Sequence, residues 1–276
     1  MKIMNKFLVS MVLVLSSVLL FAQEPLDGAY QKILKEEKEI IPYDFVREAD
    51  VFWAKRIWRV IDVREKMNLP FKYPQEPLVS IIHNAALNGE LTVYDPNVEN
   101  ADQFKQVLPV EDVQKIGVRS DSVNTIDVLT ELEVVKVVES KFNPEDVIKF
   151  RLKEDWIFNE NTSTMICRII GVCPMRLNKT SDGTVLEGGD LAMYWLYYPD
   201  LRPLLVKHEV YNPKNEAVRL TWEDLFEARM FQSYIMKESN VHDRRIQEYM
   251  TGIDQLFESD KIKQEMFEFE HDLWTY

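Results

Sequence analysis

Residues able to do chemistry are plentiful in this sequence but poorly arranged for it. The four histidines, His83, His208, His242 and His271, are scattered along 276 residues. None has the H-E-x-x-H or H-x-H spacing that aims two imidazoles at one metal from a single helix face. Cys167 and Cys173 stand six apart with no histidine nearby, which is not the spacing of a zinc site. No G-x-S-x-G elbow, G-x-x-x-x-G-K-[ST] loop or G-x-G-x-x-G fingerprint occurs, and Gly188-Gly189 marks a turn. Forty-six acidic residues guarantee neighbouring carboxylates such as Glu131/Glu133, Glu154-Asp155 and Glu223-Asp224. Nothing singles out a pair at the ~5–9.5 Å separation of a glycosidase, so these read as solvated faces. The expectation is a chain with no catalytic residue, no metal and no cofactor.

The chemistry that remains is that of contact. Residues 47–66 hold six basic and four acidic side chains, locally +2 in a chain of net charge −13, together with Phe52, Trp53 and Trp58. Arginine and tryptophan are favoured where one protein anchors in another. Arg47, Phe52, Trp53, Arg56, Trp58, Arg59 and Arg64 are therefore candidate protein-interface residues. The competing reading is a core helix with its tryptophans inside and its charges paired at i,i+3 and i,i+4. Residues 222–276 carry thirteen acids and six Lys/Arg, net −7. Such an acidic region suits the basic aromatic one, either head to tail between copies or inside one chain.

The elements that must position these residues read as α+β, with short antiparallel strands in the middle of the chain and helices at the N- and C-terminal parts. The spacing of Val51, Trp53, Ala54, Ile57, Trp58, Val60 and Ile61 predicts a helix within 47–69 that ends before Pro70, with a strand over 58–63 as the alternative. Residues 78–87 read as a helix opened by Pro77 and stopped by Asn88-Gly89. Strands are expected at 91–94 and 134–138, with a loop-rich connection over 97–130. Asn143-Pro144-Glu145-Asp146 is a helix start, and 156–172 a hairpin about the turn 159–162. The aromatic stretch 191–198 reads as a core strand, or alternatively as a ligand- or peptide-binding wall. A helix over 201–210 follows. Thr221-Trp222-Glu223-Asp224 is a capping sequence, and the 56 residues it introduces are expected to be helical throughout.

The first 22 residues read as a cleaved secretory signal: Lys2 and Lys6, an apolar run from Phe7 to Phe21, then Ala22 before polar Gln23-Glu24. The run of about 15 residues is short of the roughly 20 that span a bilayer. The polar arm 23–46 follows, with Ile40-Ile41-Pro42-Tyr43 as an extended piece suited to docking. The body is 47–276, with a division into lobes near residue 130 left open. Removing the two signal lysines takes −13 to −15, a charge that disfavours nucleic acid and anionic membrane surfaces. The two cysteines, six apart in one strand, are expected to be buried free thiols.

Several long strings are similar to a known family. The run Glu48 to Asn68 (EADVFWAKRIWRVIDVREKMN), Tyr73-Pro74, Lys153-Glu154-Asp155-Trp156-Ile157-Phe158 and Arg168-Ile169-Ile170-Gly171 resemble GldN/PorN, as do Lys237 to Arg244 and Phe267 to Tyr276. The resemblance implies a non-enzymatic periplasmic component of the type IX secretion and gliding machinery of Bacteroidetes, peripheral to the inner face of the outer membrane. It also implies a ring with an outer-membrane lipoprotein, GldK/PorK, and contact with the periplasmic part of the motor protein GldM/PorM. The rival readings are a periplasmic hydrolase, which needs a cleft with converging carboxylates, and a ligand- or peptide-binding module.

Overall fold

Residues 51–62 alternate between half-buried and exposed positions as far as Arg56 and are covered on both faces from Ile57 onward. In the computed structural model, residues 39–126, 133–140, 142–179, 184–215 and 217–274 are described. The expected signal segment, most of the arm and the ending Thr275-Tyr276 lie outside them. The first half contains β1 (Val51–Asp62), α1 (Leu78–Leu87), β2 (Val93–Tyr94), α2 (Val110–Lys115), β3 (Arg119–Ile126) and β4 (Glu133–Ser140). β5 (Val147–Asn159), β6 (Thr164–Lys179), β7 (Val185–Ala192) and β8 (Trp195–Tyr197) form the middle. They are followed by α3 (Tyr198–Lys207), β9 (Glu209–Val210), β10 (Leu220–Thr221), α4 (Trp222–Glu227), β11 (Tyr234–Glu238) and α5 (Asp254–Trp274).

The main sheet is antiparallel in the order β11-β1-β5-β6-β8-β2, with β7 also pairing with β6. Its spine is the β5–β6 hairpin, which turns through Asn159–Thr164 and is longer than the sequence suggested. The expected helix over 47–69 is corrected: 51–62 is a strand between β5 and β11. Trp53 and Ile57 pack with Ile235, Ile262 and Met266, whereas Trp58 packs with Tyr94, Phe104 and Trp195. From Ile57 onward β1 is covered on both faces, so its apolar residues show no simple alternation there and mimic a helical stripe.

The C-terminal expectation is corrected in the same way. Thr221 makes the capping box, accepting from Asp224 N while Asp224 Oδ2 accepts from Thr221 N. The helix then stops after six residues. Met230 N donates to Leu225 O and Arg229 N to Phe226 O, a Schellman closure with Arg229 left-handed at φ 53°. The chain emerges extended and becomes β11, which returns to β1. Asn68 pins this return, donating to Gln232 O and accepting from Gln232 N.

Other expectations are met more closely. Residues 78–87 are α1 as read, although Pro77 is its N-cap. Asn143 accepts from Glu145 N but opens only a single 3₁₀ turn. The polar segment β3, read as loop, pairs with β4 in a separate two-stranded sheet. The aromatic stretch is core: Met193, Tyr194, Trp195 and Tyr198 are buried, and the last already belongs to α3. One sheet face is covered by α1, α3 and α4 through Leu78, Ile82, Leu201, Leu205, Trp222 and Phe226, around Phe71 and Phe150. α5 covers the β1–β11 end through Ile262 and Met266.

Two features of this packing are testable. The left-handed Phe104 lays its ring on β6, where a Cβ on Gly171 would come 2.5 Å from Phe104 Cζ. Gly171→Ala should cost about 1–3 kcal/mol in urea unfolding, and Phe104→Leu should recover part of that loss. His83 is buried on α1, with its ring 4.2 Å from Phe142 and Nδ1 3.4 Å from the Tyr194 hydroxyl. Burial lowers its pKa from the usual 6.5. The unfolded chain therefore takes up this proton first as pH falls, and stability declines below about pH 6.5. His83→Gln should flatten thermal stability between pH 7 and 5 relative to the parent.

Candidate functional site

The candidate interface residues lie on β1 and its flanks, where the fold separates them into two groups. Arg47 is exposed and pairs with Asp50 at 2.8 Å, and Arg64 is exposed and pairs with Asp62 at 2.5 Å. Phe52 is 59% exposed, with its ring edge-on to Phe158. Arg56 makes a two-pronged bond to Asp155 across the β1–β5 ladder, at 2.6 and 2.8 Å. Trp53, Trp58 and Arg59 face inward. Trp53 stacks on Phe269 of α5 at 5.0 Å, and Trp58 Nε1 donates to Asp102 beneath Lys237. The basic strand thus meets the acidic C-terminal region within one chain, through the Lys55–Glu238 ion pair as well.

Arg59 leads to a buried ion cluster centred on Glu154. Glu154, opposite Ile57 on β5, is wholly buried. Arg229 Nη2 donates to both its oxygens at 2.9 and 3.1 Å, Trp156 Nε1 donates at 3.0 Å, and Arg59 Nε lies 3.4 Å away. Arg59 also donates to Ser233 at 3.0 Å, and Arg229 to Cys167 Sγ at 2.9 Å. Register shifts flank the cluster, between Trp58 and Arg59 against β11 and between Lys153 and Glu154 against β6. Burial and then Glu154 act in opposite senses on the arginines: Arg59 ends lowered by desolvation, whereas Arg229, also desolvated, ends raised by Glu154.

Two carboxylates read as solvated are therefore structural. Glu154 anchors this cluster, and Glu223 is buried beside Arg202 at 2.5 Å. Arg202 belongs to a second clamp, whose guest is the end of the arm. Tyr43 sits between the guanidinium groups of Arg168 and Arg202, 3.9 and 4.1 Å from its ring centroid. Its hydroxyl donates to Glu227, and Arg202 donates to Ile41 O at 2.7 Å. Ile41 and Phe45 on either side stay exposed. The extended docking piece is thus held by its own chain, and an aromatic next to a proline was its only sequence signal.

Elements of a hydrolase do not assemble among the described residues. A cavity of about 320 Å³ between β11 and the start of α5 contains Asp62 and Asp190. Asp62 is paired with Arg64 and Asp190 with Lys149 at 2.6 Å. Burial raises the Asp62 pKa, but hydrogen bonds from Arg64 outweigh it and hold the carboxyl low, unsuited to acid catalysis. Cys167 and Cys173 are free thiols; Cys173 is buried and Cys167 half-buried, against the expectation of two buried ones. Burial pushes both upward, Cys173 to about 12. No group of three or more His, Cys, Asp and Glu suited to a metal occurs among the described residues. Nor, among them, is any helix long and apolar enough to cross a membrane.

The family model of the gliding motility associated protein GldN matches residues 46–275, from the end of the arm through α5. The chain belongs to the GldN family. The match takes in β1, the Glu154 cluster and Arg202, while Tyr43 lies just outside it. GldN is a family of gliding-motility components and not a known enzyme family. A search of curated proteins found no match to the chain.

Replacing Glu154 by Gln leaves two desolvated arginines facing a neutral amide at a buried position. We expect Glu154→Gln to lower unfolding free energy by about 3–5 kcal/mol, read by chemical denaturation. A loss below about 1 kcal/mol, the scale of an exposed pair, would contradict the role given to the cluster.

Proposed function

We propose that this GldN-family chain is a non-enzymatic structural subunit of the type IX protein secretion and gliding machinery. In this reading it is exported by a signal cleaved near Ala22 and stands in the periplasm against the inner face of the outer membrane. It assembles in a ring with a GldK/PorK-like lipoprotein and couples that ring to a GldM/PorM-like periplasmic motor domain. Family membership supports the machinery part of this reading.

The observation that carries the architectural part is how the cations of β1 divide. Arg59 is consumed by the core, while Arg47 remains exposed just before β1 and close along the chain to Phe52, a large apolar side chain left in water; Arg64 is exposed beyond the opposite end of the strand. Arg47 is paired only to Asp50, three residues away, a surface contact worth little and readily exchanged, whereas Arg64 is held by three hydrogen bonds to the buried Asp62. An exposed aromatic beside an exchangeable arginine suits the anchoring of another polypeptide.

The test is an envelope pulldown with the mature chain. A lipoprotein recovered in roughly equal amount is the expected result. Arg47→Glu combined with Phe52→Ser should reduce its recovery in a salt-dependent way without lowering the melting temperature. Recovery of the chain as an unattached monomer would overturn the proposal.

A further inference from the structure

Above the Glu154 cluster lies a cavity of about 290 Å³ whose charge does not balance. Its apolar wall is Trp156 and Met165 from the hairpin, Phe231, and Met266 and Phe267 from α5. Arg59 and Arg229 both line it, and the carboxylate that bonds them, Glu154, is wholly buried beneath, with Glu227 acting on Arg229 from farther off and Glu270 and Lys263 both at the rim. Among the groups in direct contact, two guanidinium groups face one carboxylate, a local excess of one positive charge. Cys167, the remaining contact, supplies no counter-charge, because burial keeps its thiol neutral.

The excess has a definite location. Arg59 is 7% exposed, and its buried Nε makes no hydrogen bond. Glu154 Oε2, at 3.4 Å, is an ion-pair neighbour without hydrogen-bond geometry. A desolvated cation with an unused N–H is costly unless an acceptor reaches it. Both guanidinium groups also lie over Trp156, at 5.1 Å for Arg229 and 6.0 Å for Arg59, so the indole holds them at the cavity wall.

The mouth has the layout of a small interface. Phe267 is 63% exposed and extends apolar surface outward from the cavity. Lys263 and Glu270 stand at the rim, and neither makes an ion pair among the described residues. An apolar centre with a polar rim is how a partner's side chain is seated.

We propose that the Arg59–Arg229 cavity is a recognition site for an acidic side chain of a partner polypeptide, flanked in that partner by apolar residues. The carboxylate accepts from the accessible Arg229 guanidinium and offsets the charge of Arg59 behind it, completing a two-arginine, two-carboxylate arrangement. The apolar neighbours of the acid lie on Met266 and Phe267. A partner polypeptide fits better than a free organic acid because the apolar surface continues past the mouth. This site rests on the reading of the chain as a structural subunit, and it names the chemistry of one contact.

The experiment titrates the full mature chain with acetyl-Leu-Glu-Phe-amide and with its glutamine counterpart, following the Trp156 indole N–H by NMR. The glutamate peptide should bind about tenfold tighter, the factor of one charge-assisted hydrogen bond, weaken with salt and shift the Trp156 resonance. Arg229→Gln should abolish the preference. Lys263→Glu, a rim change with no load on the fold, should weaken the glutamate peptide several-fold and so tests the site even if Arg229→Gln unfolds. Equal binding of the two peptides, or glutamate binding insensitive to Lys263→Glu, would overturn the proposal. Failure here with the lipoprotein still recovered in the envelope pulldown removes this site and leaves the subunit reading intact.

Discussion

A carboxylate sealed from water must be answered by donors, and much of this architecture follows from answering Glu154. Its partners come from three separate parts of the chain: Arg59 from β1, Trp156 from its own strand, and Arg229 from the turn between α4 and β11. Arg229 reaches the acid from a left-handed position that glycine would occupy more easily, at a backbone cost of ~1 kcal/mol. That residue also ends α4 and frees the chain to become β11. One buried charge therefore ties together the edge of the sheet, the end of a helix and the strand that follows.

The same short string distributes further ties. Lys153, Glu154 and Asp155 are consecutive on β5, and pleating sends them to alternate faces. Lys153 is buried and donates to Asp102 O at 2.6 Å, holding the 98–104 loop beneath Phe104. Asp155 holds Arg56 across the ladder. Each polar residue of Lys153-Glu154-Asp155-Trp156 thus has a separate structural partner, and none faces solvent alone. On another part of the surface, Tyr43 and Arg202 bring the end of the arm to α3 and α4 by the same means, aromatic faces on guanidinium groups.

How much of this was legible in the sequence depended on whether a local rule decided the outcome. Capping chemistry at Thr221, the proline and glycine punctuation around 78–87, and the turn at 159–162 are local, and they were read correctly. β1 reads as a helix because both faces of its second half are covered, which erases the alternation there, and the alternative strand over 58–63 matches only that half. β3 was missed because its polar residues carry no apolar signal, and β11 because the end of α4 is set by a tertiary ion pair at a non-glycine position. The candidate site suffered in the same way. The arginines and tryptophans of 47–66 were singled out, but which of them face inward depends on Glu154, whose burial no neighbouring residue reveals. Glu223 was missed for the same reason, since its partner Arg202 lies 21 positions away.

The length of the central hairpin has a mechanical side. β5 and β6 run beside each other over 13 residues each, from Val147 opposite Arg176 to Asn159 opposite Thr164, and their interstrand bonds lie across the strand direction. A load applied along the strands at opposite ends must shear all those bonds together, whereas one that separates the strands from a single end peels them one after another. The hairpin is stiff in the first direction and weak in the second. Tension along its long axis is therefore what this fold withstands best, and attachments at its two far ends would exploit that anisotropy.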